Sequence, residues 1–328
     1  MGRDATPLEG LRHSDPIRLG IVSGTYLLWR PTAVQVISPH PQPSPARGRE
    51  ESSLGGGGQG NCFNSRVTAH GDLLRIDGRV ALIVGGSGSI GSALARALGE
   101  AGASISIAGR SAERAEAAAA RVRETGAQSL AVVADANNLI DCERMVTETL
   151  DRFGRLDIIV NAVGGGAGTA LYAAEHYPAT EWDRIVDLNL TSTVQPTQAA
   201  VKAMIAGRRG GRVLNISSIR GQLGIDAGYS AYVAAKGAIN ALTRQWATEW
   251  AKYGITVNAI SPTFVDTPQV ATLLQDPVFK AKIVDRIPLK RIGETDDLVG
   301  AVLLFCSDAS SFITGQILNI DGGLTATQ

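Results

Sequence analysis

From Gly78 to the end of the chain, short runs of apolar residues alternate with longer runs whose apolar residues recur every three to four positions. The runs at 80–84, 104–108, 130–133, 156–160, 211–216, 255–260 and 316–320 read as strands. Those at 90–101, 113–125, 139–153, 180–206, 230–253 and 295–306 read as helices. A strand that is apolar on both sides belongs between two layers of helices. Strands alternating with helices imply parallel pairing, because each helix returns the chain to the same end of the sheet. With right-handed crossovers the expected fold class is α/β, a doubly wound parallel sheet in one domain at 73–328, without internal repeats.

The first strand leads into Gly85-Gly86-Ser87-Gly88-Ser89-Ile90-Gly91, and a helix follows. Small residues let the backbone approach a pyrophosphate, and a helix N-terminus offers free N–H groups and positive dipole. A strand–turn–helix at the start of such a unit is the phosphate-binding turn of a Rossmann fold. Gly85, Ser87, Ser89, Ile90 and Gly91 are therefore candidate cofactor contacts.

Tyr232 and Lys236 are four residues apart in a predicted helix, which places both on one face. A phenol titrates near pH ~10 and exchanges protons poorly at neutrality. An ammonium one turn away favours the phenolate, so the pair suits acid/base work at a carbonyl or hydroxyl carbon.

Residues 1–72 have a different texture. His40 to Arg49 is rich in Pro and Arg, and Gly55 to Gly58 is a glycine run. Such composition buries too little apolar surface to offset chain entropy, so a disordered extension is expected, with a translation start near Val67 as the alternative. A signal peptide over the apolar patch at 19–29 is disfavoured by Asp4, Glu9 and Asp15 ahead of it. Lys+Arg and Asp+Glu number 31 each, a balance that points to neither nucleic acid nor an anionic membrane. Cys62, Cys142 and Cys306 are too scattered for a metal site and read as reduced, which suggests a cytoplasmic protein. No apolar run approaches the ~20 residues a membrane span needs.

In this order the motifs resemble the short-chain dehydrogenase/reductase family, over residues 76–325. The family's T-G-x-x-x-G-[IL]-G aligns with Val84 to Gly91, with Val84 in place of Thr and Ser89 in place of the middle Gly. Its N-N-A-G appears as Asn161-Ala162-Val163-Gly164, its P-G as Pro262-Thr263 followed by Val265 and Thr267, and its D-G-G as Asp321-Gly322-Gly323. Asp135, followed by Ala136, matches the adenine-contacting Asp. Asn189, Ser218, Tyr232 and Lys236 fill the catalytic tetrad, with Ser218 and Gly221 fitting S-x-x-G better than Ser217 does. The resemblance implies that Tyr232 transfers the proton and that Lys236 also holds the nicotinamide ribose. It implies that Asn189 holds a water on the proton path and that Asn161, Gly164, Pro262, Val265 and Thr267 line the cofactor. Ser218 would donate to the substrate oxygen, where charge develops during hydride transfer.

The expected activity is NAD(P)-dependent interconversion of a secondary alcohol and a ketone. A non-catalytic cofactor-binding regulator is the competing class, and the filled tetrad speaks against it. Gly221 to Gly224 and Pro262 to Pro268 are similar to gluconate 5-dehydrogenases, and Arg220 and Gln222 beside the site suit a carboxylate or hydroxyls. A 3-oxoacyl-carrier-protein reductase is the runner-up. At the end of the second strand Gly109 stands where an NAD enzyme usually has an acid, and Arg110 and Ser111 follow, so NADP is expected, with NAD as the alternative. Gly88 stands where many NADP-dependent relatives carry a second basic residue. Ala231, Ala234, Ala235, Ala238, Leu242 and Trp246 give the helix at 230–253 more apolar surface than one sheet face needs, so a homo-oligomer is expected, a tetramer or a dimer.

Overall fold

Seven parallel strands share one sheet in a computed structural model that describes residues 72–327 and, as backbone, strands within 19–36. The chain divides into two units, Met1–Asn64 and Ser65–Gln328. In the first, β1 (Leu19–Val22), β2 (Thr25–Arg30) and β3 (Ala33–Val36) pair antiparallel. For the rest of 1–71 the expected disorder falls outside the described residues, as does Cys62.

In the second unit the strands are β4 (Val80–Val84), β5 (Ser104–Gly109), β6 (Ser129–Val133), β7 (Ile158–Asn161), β8 (Gly211–Ile216), β9 (Ile255–Pro262) and β10 (Ile317–Ile320). Their order across the sheet is β10-β9-β8-β7-β4-β5-β6, and every pair is parallel. The chain winds outward from β4 through β5 to β6, then crosses to β7 on the other side of β4. That reversal opens a crevice beyond the carboxyl ends of β4 and β7, where doubly wound folds bind ligands.

Adjacent strand residues point to opposite faces, as the pleat requires. Ala81 and Ile83 join one buried layer, with α1 (Ser89–Glu100), α2 (Ala112–Arg123) and α9 (Val299–Cys306). Leu82 and Val84 join the other, with α3 (Leu139–Phe153), α5 (Ser192–Gly207) and α6 (Ser230–Trp250). Cys142 and Cys306 are buried in these layers as free thiols, and burial pushes each up to about 12.

Three sequence expectations differ from the structure. The helix expected over 180–206 is α4 (Ala179–Val186), a π-helical turn at Asp187–Thr191, and then α5. The segment 264–288, to which the sequence pattern assigns no helix or strand, carries α7 (Pro268–Leu274) and α8 (Pro277–Arg286), each with Pro in its first turn. The strand expected at 156–160 begins two residues later, because Asp157 bonds sideways to the neighbouring strand.

Asp157 is 7% exposed, and its Oδ2 accepts from the Val80 N–H at 2.9 Å and from Arg155 Nε at 2.7 Å. It ties the start of the central strand to β7. Asp157→Ala leaves a buried N–H without a partner and should cost about 2 kcal/mol of stability. Urea unfolding at neutral pH measures it, and an unchanged midpoint would remove this role.

Candidate active site

The turn after β4 depends on backbone packing. At Gly85 (φ +78°) a Cβ would lie 2.8 Å from the Ala162 carbonyl carbon and oxygen. At Gly91 it would lie 2.4 Å from the Gly85 carbonyl oxygen. These two glycines let the loops after β4 and β7 touch and let α1 close onto its own turn. Gly88 is the N-cap of α1 and provides no side-chain cap, and no acid occupies the helix's first turn. The N-terminal amides of α1 are thus left for a ligand. Ser89, which departs from the glycine motif, is the first residue of α1 and needs no left-handed backbone. Ser87 and Ile90 are half-buried beside it.

Asn189 lies in the π-helical turn and is fully buried. Its Oδ1 accepts from the Gly165 N–H at 2.9 Å, and its Nδ2 donates to the Gly165 and Ile185 carbonyls at 3.0 and 2.9 Å. The extra residue of the turn aims this amide at the loop after β7. There Gly164, Gly165 and Gly166 all have positive φ. A Cβ on Gly164 would stand 2.8 Å from Asn189 Oδ1 and 3.1 Å from Lys236 Nζ, so three predicted site residues converge at one point.

Lys236, on α6, is 3% exposed, and its Nζ donates to the Ile216 carbonyl at 2.9 Å. Burial pulls its ammonium down from 10.5 to about 8. Nζ lies 5.7 Å from the centre of the Tyr232 ring. Desolvation pushes the Tyr232 phenol above its usual value, while a hydrogen bond with Ser218 and the charge of Arg220 pull it back. The phenol is therefore protonated at neutral pH. Ser218 ends the strand–loop transition after β8, and its Oγ accepts from the Arg220 N–H at 3.2 Å. Ser217 is turned away, donating to Asn240 Oδ1 at 2.7 Å. Gly221 is needed for contact, since a Cβ there would lie 2.7 Å from the Lys236 carbonyl oxygen.

Other predicted residues are placed differently. Asn161 is 1% exposed, and its Nδ2 donates into the interior, to Thr197 Oγ1 at 2.7 Å and Asn215 Oδ1 at 2.9 Å. Its side chain ties β7 to β8 and α5 and leaves only its backbone at the crevice. Asp135 is half-buried after β6, accepting from the Asn137 N–H at 3.0 Å, and Ala136 is buried beside it. Pro262 ends β9, Val265 is 6% exposed, and Thr267 is the N-cap of α7. Arg110 is exposed after β5, and Ser111 caps α2. Gln222 is drawn to β10, donating to Asn319 Oδ1 at 2.7 Å, but Arg220 stays at the site, 8% exposed.

A dinucleotide fits this edge. Two backbone turns that exclude Cβ atoms flank the switch point, an open helix N-terminus faces it, and a tyrosine–lysine pair stands at its far end. Comparison with known proteins agrees. Residues 85–325 match the family described as enoyl-(acyl carrier protein) reductase.

The chain belongs to the short-chain dehydrogenase/reductase family.

It is 34% identical over 254 residues to a 3-oxoacyl-[acyl-carrier-protein] reductase of Synechocystis, covering 77% of this chain and 99% of that protein. It is 33% identical over 253 residues to the 5-keto-D-gluconate 5-reductase of Escherichia coli K12, covering 77% and 98%. Among solved structures it resembles a gluconate 5-dehydrogenase from Burkholderia cenocepacia in complex with NADP and tartrate. That likeness has a TM-score of 0.73 at 35% identity and covers 78% of this chain and 99% of that one. As a member of this family the chain is an NAD(P)-dependent oxidoreductase that interconverts a secondary alcohol and a ketone.

Lys236 supplies a pH test of this site. Its folded value of about 8 lies below its ordinary 10.5, so between these values the unfolded chain holds a proton that the folded chain has released. Stability contributed by this group therefore rises as pH climbs through that window. Unfolding of the cofactor-free enzyme between pH ~7.5 and ~10.5 should show the native protein gaining stability relative to Lys236→Met. Parallel curves would mean that the ammonium is not desolvated.

Proposed function

We propose that residues 73–328 form a reductase/dehydrogenase that prefers NADP(H) and acts on small hydroxylated acids of the sugar-acid class. The observation that carries the substrate reading is Arg220, a guanidinium 8% exposed beside Ser218 and Tyr232, whose one side-chain hydrogen bond among the described residues is to the Gly224 carbonyl at 3.3 Å. Among the described residues no acid pairs with it. A buried cation without a counter-charge is costly, and a substrate carboxylate would supply the missing partner. Relatives named for keto-gluconate and gluconate chemistry support the same class. A 3-oxoacyl thioester carries no carboxylate for Arg220, which sets the runner-up behind.

In this reading NADP carries the hydride. The backbone of Gly85, Ser87, Ser89, Ile90 and Gly91 takes the pyrophosphate, and Arg110 and Ser111 take the adenosine 2′-phosphate. Asp135 and Ala136 border the adenine, and Asn161, Gly164, Pro262, Val265 and Thr267 border the nicotinamide half through backbone and packing. Tyr232 gives its proton to the alkoxide oxygen in reduction and takes it back in oxidation. Ser218 donates to that oxygen, and Lys236 recharges the phenol while holding the ribose. Asn189 keeps the Gly164–Gly165 turn in register and borders the water path. Pairing through α5 and α6 into a homo-oligomer completes the proposal. On α6 Ala234 stays exposed and Leu242 half-buried, leaving apolar surface for a second copy. Among the described residues no helix is long and apolar enough to cross a membrane, in keeping with a cytoplasmic enzyme.

Tyr232→Phe should lower kcat by ~10²–10⁴ while the Kd for NADPH stays nearly constant, because only the proton carrier is lost. Retention of a tenth of the native rate would exclude Tyr232 as the acid.

Arg220→Met should raise KM for a keto-sugar acid about tenfold or more and leave turnover of an uncharged ketone nearly unchanged. Equal losses on both substrates, or faster native turnover of a 3-oxoacyl thioester than of any sugar acid, would overturn the substrate class.

A further inference from the structure

The end of β5 meets the phosphate turn side by side. A Cβ on Gly109 would lie 2.3 Å from Ser87 Oγ, so the two loops are in contact. Helix α2 starts directly after, with Ser111 as N-cap accepting from the Arg114 N–H at 3.3 Å. This places Arg114 in the first turn of α2 and turns its side chain back over the loop. Its Nη2 donates to the Ser87 carbonyl at 3.2 Å.

Sequence alone left the second basic position of the cofactor loop empty, at Gly88. The structure has room there: a Cβ on Gly88 would meet only the Gly85 carbonyl oxygen, at 3.3 Å. A cleft of about 570 Å³ beyond the loop is lined by Ser87, Gly88, Ser89 and Arg114 among others. Arg114 thus reaches the loop from α2, across the space a side chain at 88 would have entered.

Glu113 shares the first turn of α2, and Glu100 and Asp296 line the same cleft, but among the described residues none of them pairs with Arg114. A cation in the first turn of a helix opposes the helix dipole. The open N-terminus of α1 adds a second positive end, with no acid in its first turn. Among the described residues neither Arg110 nor Arg114 forms an ion pair. Arg114 therefore bonds the Ser87 carbonyl, Arg110 follows the Gly109 that touches Ser87, neither is in an ion pair, and a phosphate dianion would pair with both.

We propose that Arg114 is a second reader of the 2′-phosphate of NADP(H), so that α2 adds one cation to Arg110 of the preceding turn and compensates for Gly88. The inference rests on the NADP preference proposed above. A merely structural Arg114, supporting the loop through Ser87, would affect every nucleotide alike.

Binding to the full-length protein separates these roles. Calorimetric titration with 2′,5′-ADP and ADP, and fluorescence titration with NADPH and NADH, should show Arg114→Ala weakening the two 2′-phosphorylated ligands about tenfold while ADP and NADH bind as before. Arg114→Lys should fall between, since it keeps the charge and loses the planar fork. Equal weakening of all four ligands, or unchanged binding of 2′,5′-ADP, would overturn the proposal. If Arg110→Ala loses the discrimination and Arg114→Ala does not, this inference alone fails. If the native protein binds NADH as tightly as NADPH, the cofactor preference fails with it.

Discussion

Backbone packs directly on backbone at several points of the active edge. Gly85 rests on the peptide between Ala162 and Val163, Gly91 on the carbonyl of Gly85, and Gly221 on the carbonyl of Lys236. At each contact a single methyl group would force main chains apart, because backbone has no rotamer by which to yield. The carboxyl ends of β4, β7 and β8 are thereby held at fixed spacing. From those ends hang an open helix N-terminus after β4, a glycine turn after β7 and a serine after β8, while Tyr232 and Lys236 stand on α6.

On that frame the interior polar groups are arranged to hold one buried charge. Lys236 could not remain an ammonium at 3% exposure without a partner, and the Ile216 carbonyl at the end of β8 supplies one. Even so, desolvation brings it to about 8. Tyr232 is displaced the other way, upward, with Ser218 and Arg220 limiting the rise. The two groups are thus moved apart on the pH scale, so that near pH 8 the phenol keeps its proton while the amine is only partly charged. Asn189 contributes geometry. With both amide hydrogens and its oxygen committed to Gly165 and Ile185, it fixes the turn that borders Lys236.

The proposed specificity residues lie on segments attached to this frame and less constrained by it. Arg220 sits in the short loop after Ser218, and Arg110 and Arg114 sit at the start of α2. None lies in a strand of the sheet, and among the described residues none is in an ion pair. The chemistry of the family thus resides in the strand ends, and the choice of ligand in the cations added beside them.

By itself the sequence determined the parallel sheet, because seven apolar runs separated by amphipathic ones have no other way to bury both faces. It determined the helix at 139–153 to the residue, since Asn138 caps its start and Gly154 takes the left-handed turn at its end. It also named the tetrad positions, whose residue types and order carry the family's motifs. Periodicity could not reveal the π-helical turn at Asp187–Thr191, where one extra residue rotates Asn189 inward without altering the apolar pattern. Nor could it reveal that Asn161, motif residue though it is, spends its amide on Thr197 and Asn215. Helices α7 and α8 escaped because they are short and none of their described residues is fully buried, which leaves too little buried face for a period. Arg114 was legible only in three dimensions. Its neighbours in sequence are a helix, but the carbonyl it bonds is 27 residues away, on a loop that a parallel strand pair brings alongside. Local pattern encodes which face of an element is buried; which side chain meets which distant loop is decided by how the strands are ordered in the sheet.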